Sequence, residues 1–220
     1  MAAGYLYISN QEYFQQKPLP PLLDRELIRR YPLYGEGEYD LCLSVVPAPT
    51  AKEKASPIYN PWQERFGRKD LAEFCTLVAD VKPARVCLMG LNQKQLLEVI
   101  PHLKDSVKQL YLFKCRSVKD LTPLSHCKEL ECFLMYGNYG VNTLWNLDQT
   151  PKLTVVSLEY VTGIRTLANL EKSGLAYFSW DSRDLSGHSK GVLEELPPWE
   201  ALSASYVMVN CENYKVHYEK

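Results

Sequence analysis

Residues 107–130 read VKQLYLFKCRSVKDLTPLSHCKEL, and their spacing of apolar residues returns 23 positions later, then 23 positions later again. Leu121 and Leu124 recur as Leu144 and Leu147, then as Leu167 and Leu170. Val118, Val141 and Ile164 keep the step. So do Leu110, Phe133 and Val156, and so do Leu112, Met135 and Leu158. Five columns in register exceed what a Leu-rich composition gives by chance, so an internal repeat governs the fold. Stepping back from Leu110, Leu112 and Cys115 reaches Cys87, Met89 and Asn92. Stepping forward, Leu175, Phe178 and Trp180 fit after one deletion, and Leu193, Leu196 and Leu202 restore the spacing of Leu121, Leu124 and Leu130. About six turns result, with strands expected to start near residues 87, 110, 133, 156, 178 and 205. The one irregular step contains DSRDLSGHSKG, residues 181–191, and reads as a loop insertion.

Each repeat has a physical logic. The L-x-L alternation makes a short strand with Leu pointing inward. An Asn or Cys then turns the chain out of the strand, its side chain satisfying backbone groups inside the turn. The L-x-x-L segment packs the returning arc on the same core. One repeat cannot bury its leucines alone, so neighbours must stack. This pattern, over residues 85–212, resembles the leucine-rich repeat of the internalin-like type. The N/C position holds Asn92, Cys115, Asn138 and Asn210, and departs at Val161 and Arg183, where a side-chain ladder is expected to break. The resemblance implies an α/β fold: a curved leucine-rich-repeat solenoid with a parallel concave sheet of about six strands.

Residues 1–80 lack the period. Tyr5–Ile8 and Leu41–Val45 alternate like strands, and DRELIRRY, residues 24–31, suits a short helix ended before Pro32. Residues 47–61 carry four prolines around AKEKA and read as an exposed loop. Residues 69–81 place Leu71, Phe74, Cys75 and Val78 at helical spacing, predicting a helix that leads into the first repeat strand. The expected organisation is an N-terminal α+β cap over residues 1–84 and the repeats over 85–220, with residues 212–220 closing the last turn.

The chain of 220 residues has 25 Lys plus Arg against 26 Asp plus Glu, a net charge of -1, so no global field favours nucleic acid or a membrane surface. No apolar run approaches the roughly 18–20 residues of a spanning helix. The opening MAAGYLYISNQEYF lacks a basic region followed by an apolar one, so no standard signal peptide is expected. Seven cysteines, an odd count without any C-x-x-C, read as reduced and structural, and the expected location is cytoplasmic.

Catalytic patterns are poor. His126-Cys127 are adjacent and point different ways on the returning arc. His188 with Asp181, Asp184 and Ser186 reads as a polar loop. Cys115, Cys127 and Cys132 lack metal-ligand spacing. The Gly cluster at residues 34–38 is acidic, and the clusters Arg25/Arg29/Arg30 and Arg65/Arg68/Lys69 are short. No enzyme, cofactor or metal is expected. The positions between inward leucines instead carry Tyr111, Phe113, Lys114, Leu134, Tyr136, Glu159, Tyr160, Asp181, Tyr206 and Met208. Exposed aromatics of this kind mark interaction surfaces. The expectation is a non-catalytic module that binds a protein partner through this concave face, as a monomer or weak homodimer. In the alternative, residues 1–80 hold the partner as an adaptor or regulatory subunit and the repeats are scaffold. Those residues could also fold back into the arc and bury the aromatics.

Overall fold

The computed structural model describes residues 40–45, 51–55, 71–170, 173–183, 191–194, 204, 206–213 and 215–219. The expectations for residues 5–8 and 24–31 lie outside these, as does most of the 181–191 loop. Within them the fold is α/β, built on an eight-stranded sheet whose spatial order is the chain order. The strands are β1 (Leu41–Ser44), β2 (Arg85–Met89), β3 (Gln109–Phe113), β4 (Cys132–Asn138), β5 (Val155–Val161), β6 (Tyr177–Asp181), β7 (Tyr206–Asn210) and β8 (Lys215–Glu219). β1 to β7 are parallel, and β8 returns antiparallel on β7. Among the described residues three helices accompany them: α1 (Ala51–Lys54), α2 (Leu71–Val81) and α3 (Gln93–Leu103).

The 23-residue period appears directly as strand register. Leu110 pairs with Phe133 and Phe133 with Val156, while Leu112 pairs with Met135 and Met135 with Leu158. These side chains are fully buried in one continuous core. Leu121, Leu124 and Leu130 join it from the returning segment, as do their counterparts in the next repeats. Most returns are short 3-10 turns, at Thr122–His126, Leu147–Gln149 and Ala168–Leu170. A single helical turn suffices to carry two leucines back to the core.

Four expectations need correction, the first being the backward step: Val86 and Leu88, 24 residues before Leu110 and Leu112, hold the core positions expected of Cys87 and Met89, which lie on the opposite face. The parallel sheet has seven strands, not about six, because Leu41–Ser44 pairs with β2 instead of standing apart in a cap. Asp40 fixes that pairing: its carboxylate accepts from the Ala84 and Arg85 backbone N–H groups at 2.9 and 2.8 Å and from the Arg85 guanidinium at 2.8 and 3.1 Å. Within the expected 47–61 loop, Ala51–Lys54 forms a helical turn. After β2 the return is a true α-helix, and Asn92 caps it rather than filling the ladder. Its side chain accepts from the Gln95 N–H at 3.0 Å while Gln95 accepts from the Asn92 N–H at 3.0 Å. Leu96, Val99, Ile100 and Leu103 then form the buried stripe of α3. The helix expected over 69–81 is present as α2, burying Phe74, Cys75 and Val78. The last turn closes through β8, within the expected 212–220 segment.

Among the described residues, no helix is long and apolar enough to cross a membrane.

Candidate interaction face

Side chains alternate along a strand, so the residues between the core positions share the opposite face of the sheet. Register then sorts them into rows. One row runs Met89, Phe113, Tyr136, Glu159, Asp181, Asn210; the next runs Cys87, Tyr111, Leu134, Ser157, Ser179, Met208. The ten residues expected at the site therefore do lie together on one face. Phe113 stacks on Tyr136 with ring centroids 5.1 Å apart, and Tyr160 meets Tyr136 edge-on at 5.1 Å. Tyr111 meets Phe113 at 5.7 Å, and the Lys114 ammonium sits 5.1 Å from the Phe113 ring centre. Tyr206 stacks on Tyr177 at 4.7 Å.

A backbone device brings Tyr160 beside Glu159. The residue after the last outward position of β2, β3, β4 and β5 turns left-handed: Gly90 (φ 75°), Lys114 (φ 52°), Gly137 (φ 67°) and Tyr160 (φ 52°). This breaks the alternation, which is how consecutive residues come to serve one face. Only glycine adopts such a φ freely, so Lys114 and Tyr160 hold it at a cost of about 1 kcal/mol each.

The expected exposure does not hold. Tyr111, Phe113, Leu134, Tyr136, Glu159, Tyr160, Asp181 and Tyr206 are all buried, and only Lys114 and Met208 are half-exposed. From β3 to β6 the sheet is thus closed to solvent on both faces, as parallel sheets commonly are. The alternative in which residues 1–80 lie in the arc falls mostly outside the described residues.

This second face differs in chemistry from the core. Of the buried polar residues, Ser44, Gln109, Ser157, Glu159, Ser179 and Asp181 all belong to it. The Asp181 carboxylate accepts from Arg183 Nε at 2.9 and 2.8 Å, from a second guanidinium nitrogen, and from the Arg183 backbone N–H at 3.0 Å. That bond to Asp181 holds the Arg183 guanidinium above its ordinary range, against its partial burial. Both amide ends of Gln109 and the hydroxyl of Tyr136 have no hydrogen-bond partner. Burial, and then Tyr160 and Glu159 nearby, push the Tyr136 phenol up. Burial pushes Tyr160 up to about 12. Both phenols therefore stay neutral near pH 7 and act as donors, acceptors and rings rather than as bases.

Two members stand outside the ten expected site residues. Tyr177 reads from the sequence as an outward residue of its strand, and the register sets it beside Tyr206. Arg183 was read only as a break in the ladder, although its i, i+2 spacing from Asp181 was the available signal.

The other candidates do not assemble. His126 is exposed while Cys127 is buried, its thiol pushed up to about 12 by burial and then by Asp105. Cys115 and Cys132 are also buried with raised thiols, Cys115 at about 12. Asp184, Ser186, His188 and the arginine clusters lie outside the described residues. Among the described residues no group of three or more His, Cys, Asp or Glu could hold a metal ion. No family model, curated protein or solved structure matches the chain.

Proposed function

We propose that this chain is a leucine-rich-repeat solenoid, capped by residues 1–84, that works as a non-catalytic protein–protein interaction module in a reducing compartment such as the cytoplasm. The observation that carries this reading is the aromatic strip Tyr111–Phe113–Tyr136–Tyr160, held on a rigid parallel sheet and chemically unlike the interior core. Aromatic-rich strips have the make-up of an interface centre, and the buried Glu159, Asp181 and serines set this face apart from the apolar core. Buried polar groups without partners cost about 1–3 kcal/mol each. Opening the face to a partner or to water regains that energy at Gln109 and Tyr136. Engagement therefore means exchange: a partner segment replaces whatever closes the strip, on a surface that needs little ordering.

The burial of eight of the ten expected residues favours a second reading. There the sheet, sealed on both faces, is scaffold, and residues 1–80 hold the partner.

Photo-crosslinking separates the two. A benzophenone amino acid replaces Lys114 or Met208, the two half-exposed members of the face, so the core is undisturbed. Irradiation in lysate should attach one discrete protein at both positions. Crosslinks confined to the chain itself would sink the strip reading and leave the adaptor reading standing.

A further inference from the structure

β8 (Lys215–Glu219) ends the sheet: β7 lies on one side, and no described strand lies on the other. Such an edge offers a row of backbone N–H and C=O groups to any strand that can align with it. Lys215 and His217 on this strand are exposed. Its sequence, KVHYE, is self-complementary when reversed. An antiparallel copy centred on His217 sets Lys215 opposite Glu219, Val216 opposite Tyr218, and His217 opposite its own counterpart. A two-fold axis repeats the lysine–glutamate pair on either side of the centre, as an isologous contact requires. Any other register loses it. A shift by one residue turns the outward set inward, and a shift by two removes a charge pair. The opposite edge of the sheet, β1, reads LCLS and carries no charge that could select a register.

We propose that the β8 edge is a self-association site, where two copies of this chain pair β8 with β8 antiparallel and extend one sheet through both. Cross-strand opposite charges are stabilising and like charges directly opposite are destabilising, so the two lysine–glutamate pairs set both register and partner. The strand is short, so the dimer is weak and concentration-dependent. The strand adjoins the far end of the aromatic face, where Tyr206 meets the His217 ring at 5.3 Å, but it does not touch the strip Tyr111–Phe113–Tyr136–Tyr160, and failure of this pairing would leave the strip reading untouched.

Sedimentation velocity on the full chain across the micromolar range tests it. Four proteins are compared: wild type, Lys215→Glu, Glu219→Lys, and the double exchange. The wild type should show a monomer–dimer equilibrium. Each single reversal places like charges opposite one another twice and should weaken association about ten-fold or more. The double exchange should restore it. Circular dichroism on each variant separates lost pairing from lost folding. A wild type that stays monomeric overturns the proposal, as does a dimer indifferent to the reversals. Single variants that unfold leave the double exchange to decide: a folded but monomeric double variant overturns the proposal too.

Discussion

Asn138 shows at single-residue scale why the repeat needs its asparagine. The side chain is fully buried, and its amide donates to the carbonyls of Cys115 at 2.7 Å and Val118 at 2.9 Å. Its oxygen accepts from the N–H groups of Gly140 at 3.0 Å and Val141 at 2.8 Å. Four backbone groups of a turn buried between repeats thus depend on one side chain. One repeat earlier, Cys115 holds the same place with a thiol that donates to the Leu88 carbonyl at 3.4 Å. Asn138→Ala should therefore cost on the order of 3–5 kcal/mol, since it strands several buried backbone groups at once. Asn138→Cys should cost visibly less, because the fold already accepts a thiol there. Urea denaturation of the three proteins checks the order, and equal losses for Ala and Cys would remove the ladder argument. Glycine offers a second residue-scale test. A Cβ at Gly163 would stand 2.4 Å from the Val141 carbonyl oxygen, whereas at Gly174 nothing lies within 4 Å. Gly163→Ala should destabilise by about 1–3 kcal/mol through forced repacking. Gly174→Ala should stay within about 0.5 kcal/mol of wild type. The same denaturation curves report both.

At the scale of elements, the question is what holds each strand to the next. β1 is the shortest strand, and Asp40 ties its start to β2. Burial alone would push the Asp40 carboxyl up. The Arg85 side chain and the Ala84 and Arg85 N–H groups outweigh it and hold the carboxyl below its usual range. A carboxyl lowered in the folded state adds stability above its unfolded value, and that stability fades as pH falls through the folded value. Asp40→Asn should thus cost about 1–2 kcal/mol at neutral pH, and the difference from wild type should close as pH drops below about 4. Thermal melts at pH 7 and at acid pH test the sign, and a gap that widens in acid would refute it. Elements also show where sequence was readable. The starts of β3, β4 and β5 were legible because leucine columns repeat every 23 residues, whereas the same step carried back to β2 falls one residue off, on Cys87 and Met89 in place of Val86 and Leu88. The seventh parallel strand was not, because four residues, LCLS, lie outside the period and carry no register of their own. The ladder break at Val161 was legible as well, but its repair was not. The Trp180 indole N–H reaches across to the Val161 carbonyl at 2.7 Å, a long-range bond that no local pattern encodes.

For the whole molecule, the decisive feature is a sheet whose central strands, β3 to β6, are buried on both faces. The alternation of residues told which side chains share the second face, and the register bears out that grouping. It could not tell whether that face meets water, because alternation assigns a side chain to a face and not what lies over that face. Tyr136 and Phe113 are therefore part of the packed interior of the isolated chain, and the same holds for its thiols. Cys87, Cys115, Cys127, Cys132 and Cys211 are fully buried and Cys75 almost so, and none of the six forms a disulfide. Burial raises the Cys75 thiol too, with Glu98 adding to the effect. Thiolate is the reactive form, so these groups stay inert until the chain opens. How they open depends on architecture. Stacked repeats contact mainly their neighbours, and opening there spreads from an end. Cys75 lies on α2 near one end of the array and at 9% keeps the most exposure of the six, while Cys127 and Cys132 lie mid-array. Pulsed alkylation near pH 8 in rising denaturant, read by mass spectrometry, should modify Cys75 first and the two mid-array cysteines last. Simultaneous modification of all six would mean that the two-faced burial fuses the repeats into one cooperative unit. Tyr136→Ala distinguishes the same two cases. In a nearest-neighbour array it should advance the labelling of Cys115 and Cys132 while leaving Cys75 where it was, and in a fused unit it should advance all three together.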